Sequence, residues 1–214
     1  MKRRINNFFA RHPVVNFIAI IVFFVVIEGL SSFCSSKDSE NMRMCPEFSD
    51  PTFEAWFLYT TGQTLYFSSS LGSKDTLVLG AINKSPAIFS SSARPCLSNA
   101  SITSPELNVN GLYDFSVNYS VTEGRQRKEL SLNVYNFILP GSWLKDSEIF
   151  TDLPFSHQFF NSKTLEGKEF TNVAELMRDT TTNKQAGVYK IWIAKQKGLV
   201  GYEYYPSQEL FVKQ

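Results

Sequence analysis

Residues 111–138 read GLYDFSVNYSVTEGRQRKELSLNVYNFI, two runs of alternating apolar and polar side chains around a glycine-containing turn. A period of two is typical of a β-strand with one buried and one wet face. The apolar positions are Tyr113, Phe115, Val117, Tyr119 and Val121 in the first run and Leu130, Leu132 and Val134 in the second. The segment therefore predicts an antiparallel hairpin that pairs Gly111–Val121 with Lys128–Ile138.

The same alternation of short apolar runs and polar breaks continues on both sides of this hairpin. Further strands are predicted at Gln63–Ser69, Asp75–Ile82, Trp56–Tyr59 and, as a closing three-stranded meander, Val188–Ala194, Leu199–Tyr205 and Glu209–Val212. One or two helical turns are predicted at Ser142–Phe150 and at Val173–Asp179, the second because it holds strong helix formers. The expected fold class is mainly β, an antiparallel β sandwich or partial barrel with one or two short helices, preceded by an N-terminal transmembrane helix.

The N-terminus has the pattern of a membrane-targeting segment. Lys2, Arg3, Arg4 and Arg11 precede the uncharged run Pro13–Ile27. As a helix this run spans about 22 Å, short of a hydrocarbon core of roughly 30 Å, but it can continue to Phe33. Because cationic flanks stay on the cytoplasmic side, we expect the later residues to be extracytoplasmic, in the periplasm.

Three fates of this segment are open. In the first it is kept as a single-span anchor. In the second it is a secretory signal cleaved near Gly29-x-Ser31, which fits a small-x-small site loosely. In the third Cys34 carries a lipid, although Phe33 stands where a bacterial lipoprotein signal needs a small residue.

The sequence divides into a cytoplasmic basic tail and anchor at 1–34, a polar linker at 35–52 and an extracytoplasmic β domain at 53–214. The last part is long enough to bury one core. The whole chain has 21 Lys and Arg against 20 Asp and Glu, and four of the cations precede the apolar run. The outer domain is thus near neutral without a basic stripe, so no nucleic-acid partner is expected.

Three cysteines occur, and Cys34 lies at the membrane boundary. Cys45 and Cys96 both fall in the outer part of the chain, where an oxidising compartment permits a disulfide. Two reduced thiols are the alternative, and the sequence leaves the choice between them open.

Motifs of catalysis are missing from the outer domain. His157 is its only histidine and has no Gly-x-Ser-x-Gly partner, and Ser142-x-x-Lys145 lacks the companion elements of serine acyl-enzymes. Ser142 is instead predicted to cap a helix. Cys-x-x-Cys and His-x-x-x-His spacings are absent, and Asp146, Glu148 and Asp152 fit a solvated face. We therefore expect no enzyme, no metal site and no cofactor.

Aromatic residues concentrate in the last third of the chain. Such side chains pack cores and cross-strand pairs, and they also line carbohydrate or lipid grooves. The candidate ligand surface comprises Tyr189, Trp192, Tyr202 and Tyr204. Core packing is the favoured interpretation of the same residues.

Three segments carry a resemblance: Thr61–Phe67, Asp75–Val78 and, above all, Lys190–Glu203 with its Lys197-Gly198-Leu199-Val200 turn. They resemble uncharacterised membrane-anchored or lipoprotein-like envelope β-domain proteins of Bacteroidota-type bacteria. The resemblance covers about half of the outer domain, rests on a turn between two strands and implies no activity. Many such proteins are lipoproteins, and Phe33 is where this chain departs from them.

The function expected from these observations is a membrane-anchored extracytoplasmic binding or scaffolding protein of the cell envelope, without catalysis. Its partner would be another envelope protein. The alternative is a lipocalin-like or half-barrel carrier of an apolar ligand, which requires a large internal cavity.

Overall fold

The computed structural model describes residues 42–91, 94–108, 110–123, 127–144, 156–180 and 185–214. The predicted anchor lies outside these ranges. Within them, no helix combines the length and the apolar character needed to cross a membrane.

The described chain is mainly β, as the sequence predicted, and comprises two large antiparallel sheets, a two-stranded ribbon and one helix. The helix is α1 (Pro51–Trp56). The strands are β1 (Met42–Cys45), β2 (Thr64–Ser69), β3 (Lys74–Val78), β4 (Ile82–Lys84), β5 (Ile88–Ser91), β6 (Leu97–Thr103), β7 (Phe115–Thr122), β8 (Arg127–Val134), β9 (Phe137–Leu144), β10 (Ser156–Leu165), β11 (Lys168–Met177), β12 (Gly187–Ala194), β13 (Gly198–Tyr205) and β14 (Leu210–Lys213).

The described residues fall into two compact units. The smaller one includes residues 42–43, 89–91 and 94, and here Arg43 donates from Nη2 to the carbonyl oxygen of Arg94 at 3.4 Å. Strands β1 and β5 pair as a two-stranded ribbon. The larger unit covers residues 44–88 and 95–214 and contains both large sheets.

The predicted hairpin is confirmed at the centre of a five-stranded sheet of order β4-β6-β7-β8-β9. Its register pairs Phe115 with Val134, Val117 with Leu132 and Tyr119 with Leu130. The first strand begins at Phe115, so Gly111–Asp114 belong to the preceding loop. The second strand ends at Val134, because residues 135–136 form a turn and Phe137 and Ile138 belong to β9. Because every second side chain of β7 lies in the core, the register of this hairpin fixes which face of the sheet is buried.

The other sheet has seven strands in the order β10-β11-β12-β13-β14-β2-β3. Its centre is the predicted C-terminal meander, confirmed with boundaries shifted by one residue or so. Strand β14 then pairs with β2, which brings the end of the sequence beside an early strand. The predicted strand at 75–82 is two strands in different sheets, β3 and β4.

Both large sheets share one hydrophobic core, an arrangement consistent with a sandwich. Its fully buried aromatic side chains come from the helix and from both sheets: Phe53, Phe67, Phe115, Tyr119, Phe137 and Tyr202. A hydrogen-bonded cluster adds to this contact, because Asp75 Oδ2 accepts from the hydroxyls of Tyr135, at 2.6 Å, and Tyr202. Tyr202 lies in β13 of the seven-stranded sheet and Tyr135 in the β8–β9 turn of the five-stranded sheet, so one carboxylate links the two sheets.

The seven-stranded sheet is buried on its second face too. There a smaller core joins Val173, Trp192, Ala194, Val200 and Val212 to Leu165 and Phe170 of the β10–β11 hairpin. Asn172 of this hairpin has φ +51°, in the left-handed region. The pairing of β11 with β12 covers Val173–Met177, and Lys168 Nζ at the other end of β11 donates to the carbonyl oxygen of Lys213 at 2.9 Å.

The N-terminal part of the larger unit is held by α1 and by a disulfide. Asp50 caps α1 by accepting from the backbone N–H of Phe53 at 2.9 Å, and Pro51 occupies the first helical turn. Cys45 and Cys96, which are 51 residues apart in the sequence, form a disulfide with their Cα atoms 5.5 Å apart. The sequence had left open whether these two cysteines are bonded or reduced. On the chain-entropy model such a link stabilises the fold by about 4 kcal/mol.

Both helix predictions were wrong where the structure describes them. Val173–Met177 lie in β11, hydrogen-bonded to strands on both sides, and this pairing outweighs the helix propensity of the segment. Ser142, Trp143 and Leu144 end β9, so Ser142 caps no helix, and residues 145–150 lie outside the described ranges. The observed helix instead covers Trp56, the residue at which the sequence predicts the start of a strand.

Candidate functional site

An exposed apolar depression of the five-stranded sheet is a groove of ≈ 390 Å³, called the apolar groove below. Leu107, Leu112, Tyr113 and Ile138 form its walls and are 57%, 38%, 36% and 49% exposed. The lining also includes Leu132 and Leu139, whose side chains are buried in the main core. Large apolar side chains gathered at one exposed place, rather than scattered singly, are typical of a docking site.

The walls of the apolar groove are held by hydrogen bonds of the loop before β7. Leu107 and Tyr113 pair in an isolated β-bridge, and the Asn108 carboxamide oxygen accepts from the backbone N–H of Leu112 at 3.2 Å. Asn108 also donates from Nδ2 to Asp114 at 3.1 Å, and Asn133 donates from Nδ2 to the carbonyl oxygen of Tyr113. The apolar groove is thus pre-formed, which lowers the ordering cost of binding.

The electrostatics of the apolar groove are neutral. Among the described residues that line it none is charged, and the polar ones are Ser116, Ser131 and Asn133. An apolar centre with a neutral polar rim and few charges is the composition of a protein–protein contact.

The sequence did not predict this groove, although a signal for it was present. Phe137, Ile138 and Leu139 are three consecutive apolar residues, and in a strand one of them must face away from the other two. The structure buries Phe137 and Leu139 and exposes Ile138. Tyr113 was predicted to be buried, but it precedes the strand and remains partly exposed.

The candidate ligand surface of aromatic residues is mostly core. Tyr189, Trp192 and Tyr202 are buried, and the half-buried Tyr204 packs edge-on against Tyr202 and Phe211, at 5.9 and 5.8 Å between ring centroids. Tyr202 belongs to the main core and Trp192 to the smaller core on the other face of the sheet. The four residues therefore do not form one exposed surface.

Tyr189, Trp192 and Tyr202 each donate a hydrogen bond to a carboxylate of the chain. Trp192 donates from Nε1 to Glu175 Oε2 at 2.6 Å, and Tyr189 donates its hydroxyl to Glu203 Oε1 at 2.5 Å. Lys190 forms an ion pair with Glu203 at 3.2 Å. Burial, followed by the hydrogen bonds to Glu203 and Asp75, raises the pKa of Tyr189 and Tyr202 far above that of a free phenol. Both phenols stay neutral donors at physiological pH.

The residues considered for catalysis are not brought together in the described part of the chain. His157 lies half-buried in β10, paired in register with Leu176 and 6.3 Å from the ring of Phe159. Ser142 lies in β9, whereas Lys145, Asp146, Glu148 and Asp152 lie outside the described ranges. A grouping of His, Cys, Asp and Glu suited to a metal ion is likewise absent from the residues described.

Comparisons with protein-family models, with curated proteins and with solved structures give no match to the chain.

Proposed function

We propose that the protein is a membrane-anchored binding or scaffolding protein of the cell envelope that docks a partner protein and catalyses no reaction. Its outer domain is a β sandwich held in the periplasm by a single N-terminal span. The basic residues 2–11 and the apolar run that follows support this placement, as does the resemblance to envelope β-domain proteins.

The observation that carries the proposal is the apolar groove. Its volume of ≈ 390 Å³ accommodates a few side chains, and its rigid walls and uncharged rim fit apolar anchor residues of another protein. A partner that is itself tethered to the membrane meets the apolar groove at a raised effective concentration, so a small contact suffices.

The carrier of an apolar ligand is the weaker alternative. The space between the sheets is filled by large aromatic side chains, among them Phe67, Phe115, Phe137 and Tyr202. A fatty chain placed in the apolar groove would keep one side in water, because Leu112 and Ile138 are themselves exposed there.

Two charge substitutions in the apolar groove test the proposal. Leu112→Asp and Ile138→Asp place a carboxylate at the centre of the contact, and the control Thr76→Asp adds one at an exposed position of β3 in the other large sheet. Each full chain is extracted from membranes, and the co-purifying proteins are quantified by mass spectrometry. We expect one protein to be lost about tenfold or more from both groove variants and kept by the control.

Three results would contradict the proposal. In the first, the co-purifying proteins are the same for all variants. In the second, a lipid rather than a protein disappears with the groove substitutions, which favours the carrier. In the third, the only species lost is a second copy of the chain, which would mean that the apolar groove serves self-association and not a partner protein.

A further inference from the structure

A second depression lies on the seven-stranded sheet, far along the chain from the residues of the apolar groove. It has a volume of ≈ 640 Å³ and is lined by Lys168 at the start of β11, Lys197 in the β12–β13 turn and Lys213 at the end of β14. We call it the lysine cleft.

Two of the three ammonium groups are fixed by backbone carbonyls. Lys168 Nζ donates to the carbonyl oxygen of Lys213, and Lys213 Nζ donates to the carbonyl oxygen of Lys197, each at 2.9 Å. An ammonium group has three N–H donors, so each keeps two for other acceptors. The bonds therefore hold the lysines near one another without neutralising them.

Neutralising carboxylates are scarce in the lysine cleft. In the described part of the chain none of the three lysines forms an ion pair, whereas Lys128, Lys163 and Lys190 all do. Glu169 is the one acidic side chain in the described lining, and its Oε1 accepts a hydrogen bond from Ser162. The cleft thus has an excess of positive charge.

The position of Lys213 has an electrostatic cost. Partial burial, and then the charge of Lys197, lower the pKa of Lys213 from its usual value. A bound anion offsets both effects, because it replaces lost hydration and screens the repulsion between the two ammonium groups.

The remaining lining matches a hydroxylated molecule. Gln63 and Gln196 provide carboxamides, and Gln63 already uses its Oε1 to accept from the backbone N–H of Thr60 at 3.1 Å. Its amide N–H groups suit hydroxyl oxygens. Leu58, 60% exposed, and the buried Phe170 offer an apolar wall for the face of a sugar ring.

We propose that the lysine cleft binds a sugar that carries a carboxylate or a phosphate. Lys168, Lys197 and Lys213 hold the anion by charge-assisted hydrogen bonds, and the glutamine amides hold the hydroxyls. This site is separate from the apolar groove and does not depend on the function proposed for it.

The test measures binding of four probes to the full chain in nanodiscs, with the tag at the N-terminus so that Gln214 stays unmodified. The probes are glucuronate, glucose 6-phosphate, glucose and inorganic phosphate, and the readout is isothermal titration calorimetry. We expect glucuronate or glucose 6-phosphate to bind more tightly than both glucose and inorganic phosphate. Binding should weaken as the salt concentration rises.

Matched variants locate the site. Lys168→Gln and the exposed Lys197→Gln should each lower the affinity about tenfold or more, since each removes a charge-assisted bond. Lys74→Gln, at an exposed position of the edge strand β3, should leave it unchanged. Lys197→Gln keeps the test valid if Lys168→Gln fails to fold.

Several outcomes would overturn the inference. Equal affinity for glucose and glucuronate would show that the anion does not contribute to binding. Equal affinity for inorganic phosphate and glucose 6-phosphate would show that the sugar does not contribute. The same affinity in all three lysine variants would place binding elsewhere. Absence of binding by every probe at 10 mM, about the weakest affinity of interest, would reject the site.

Discussion

At the scale of single residues, Asp50 shows how one carboxylate can link three elements. It caps α1 through Phe53, forms an ion pair with Lys128 of β8 at 2.9 Å and accepts from the hydroxyl of Tyr119 of β7 at 3.1 Å. Burial alone would raise the pKa of Asp50, but these hydrogen bonds and the charge of Lys128 outweigh it and hold the pKa below its usual value.

A pH-dependent loss of stability follows from this residue. Because the folded pKa of Asp50 lies below its unfolded value of about 3.9, its contribution is complete above that pH and is lost as the pH falls through the folded pKa. Asp50→Asn should lower the free energy of unfolding at pH 7 by about 2–4 kcal/mol, since Lys128 loses its partner. The measurement is urea unfolding of the detergent-solubilised chain, followed by tryptophan fluorescence.

The difference between wild type and Asp50→Asn should shrink as the pH falls below about 4, because the unfolded chain then binds a proton at Asp50 that the folded carboxylate still excludes. The control Glu106→Gln, at an exposed position, should stay within about 0.5 kcal/mol of wild type at every pH. A constant difference between wild type and Asp50→Asn from pH 7 to pH 3 would show that Asp50 acts through something other than its charge.

At the scale of elements, the turn between β12 and β13 depends on Gly198. Its φ is +70°, and a Cβ placed there would lie 2.3 Å from the hydroxyl oxygen of the buried Tyr59. The same hydroxyl accepts from the backbone N–H of Leu199 at 2.6 Å. The turn therefore needs glycine for its conformation and for the close approach of Tyr59.

Two alanine substitutions separate these requirements. Gly62 has φ +76°, and a Cβ added there would meet no atom within 4 Å, so Gly62→Ala should cost only the backbone term of about 1–2 kcal/mol. Gly198→Ala should cost about 2 kcal/mol more, because it also displaces a buried ring and its hydrogen bond. Equal losses in urea unfolding would mean that Tyr59 moves aside freely.

The elements also show how far the sequence determines the fold. The β7–β8 hairpin and the closing meander were predictable, because strict alternation and glycine turns are local signals. Val173–Met177 were not, since their side chains favour a helix and only pairing with β10 and β12 makes them a strand. The sequence Asp50-Pro51 was a usable signal for the start of α1 that the strand prediction at Trp56 overlooked.

Neither depression could be predicted in the same way. The apolar groove joins the loop before β7 to β9, and the lysine cleft joins β11, β14 and a turn. Such groupings depend on strand order, which is a non-local property. The apolar run Ile191–Ala194 was a usable signal of a different feature, namely that β12 is buried on both faces of its sheet.

At the scale of the whole molecule, the larger unit joins two antiparallel sheets through one aromatic core and presents its candidate sites at the surface. Asp75 links the two sheets through Tyr135, and the Cys45–Cys96 disulfide lies near the start of the unit. Because large aromatic side chains occupy the core between the sheets, we expect binding at the surface.

The central claim is that the apolar groove docks a partner protein, and site-specific photocrosslinking in intact membranes tests it most directly. A benzophenone side chain is placed at position 112, in the apolar groove, or at position 76, exposed on β3 of the other large sheet, as the control. We expect position 112 to crosslink to one discrete protein, position 76 to give none of that product, and an added Ile138→Asp substitution to remove it. Identical crosslinks from both positions, or a product from position 112 that survives Ile138→Asp, would contradict the claim.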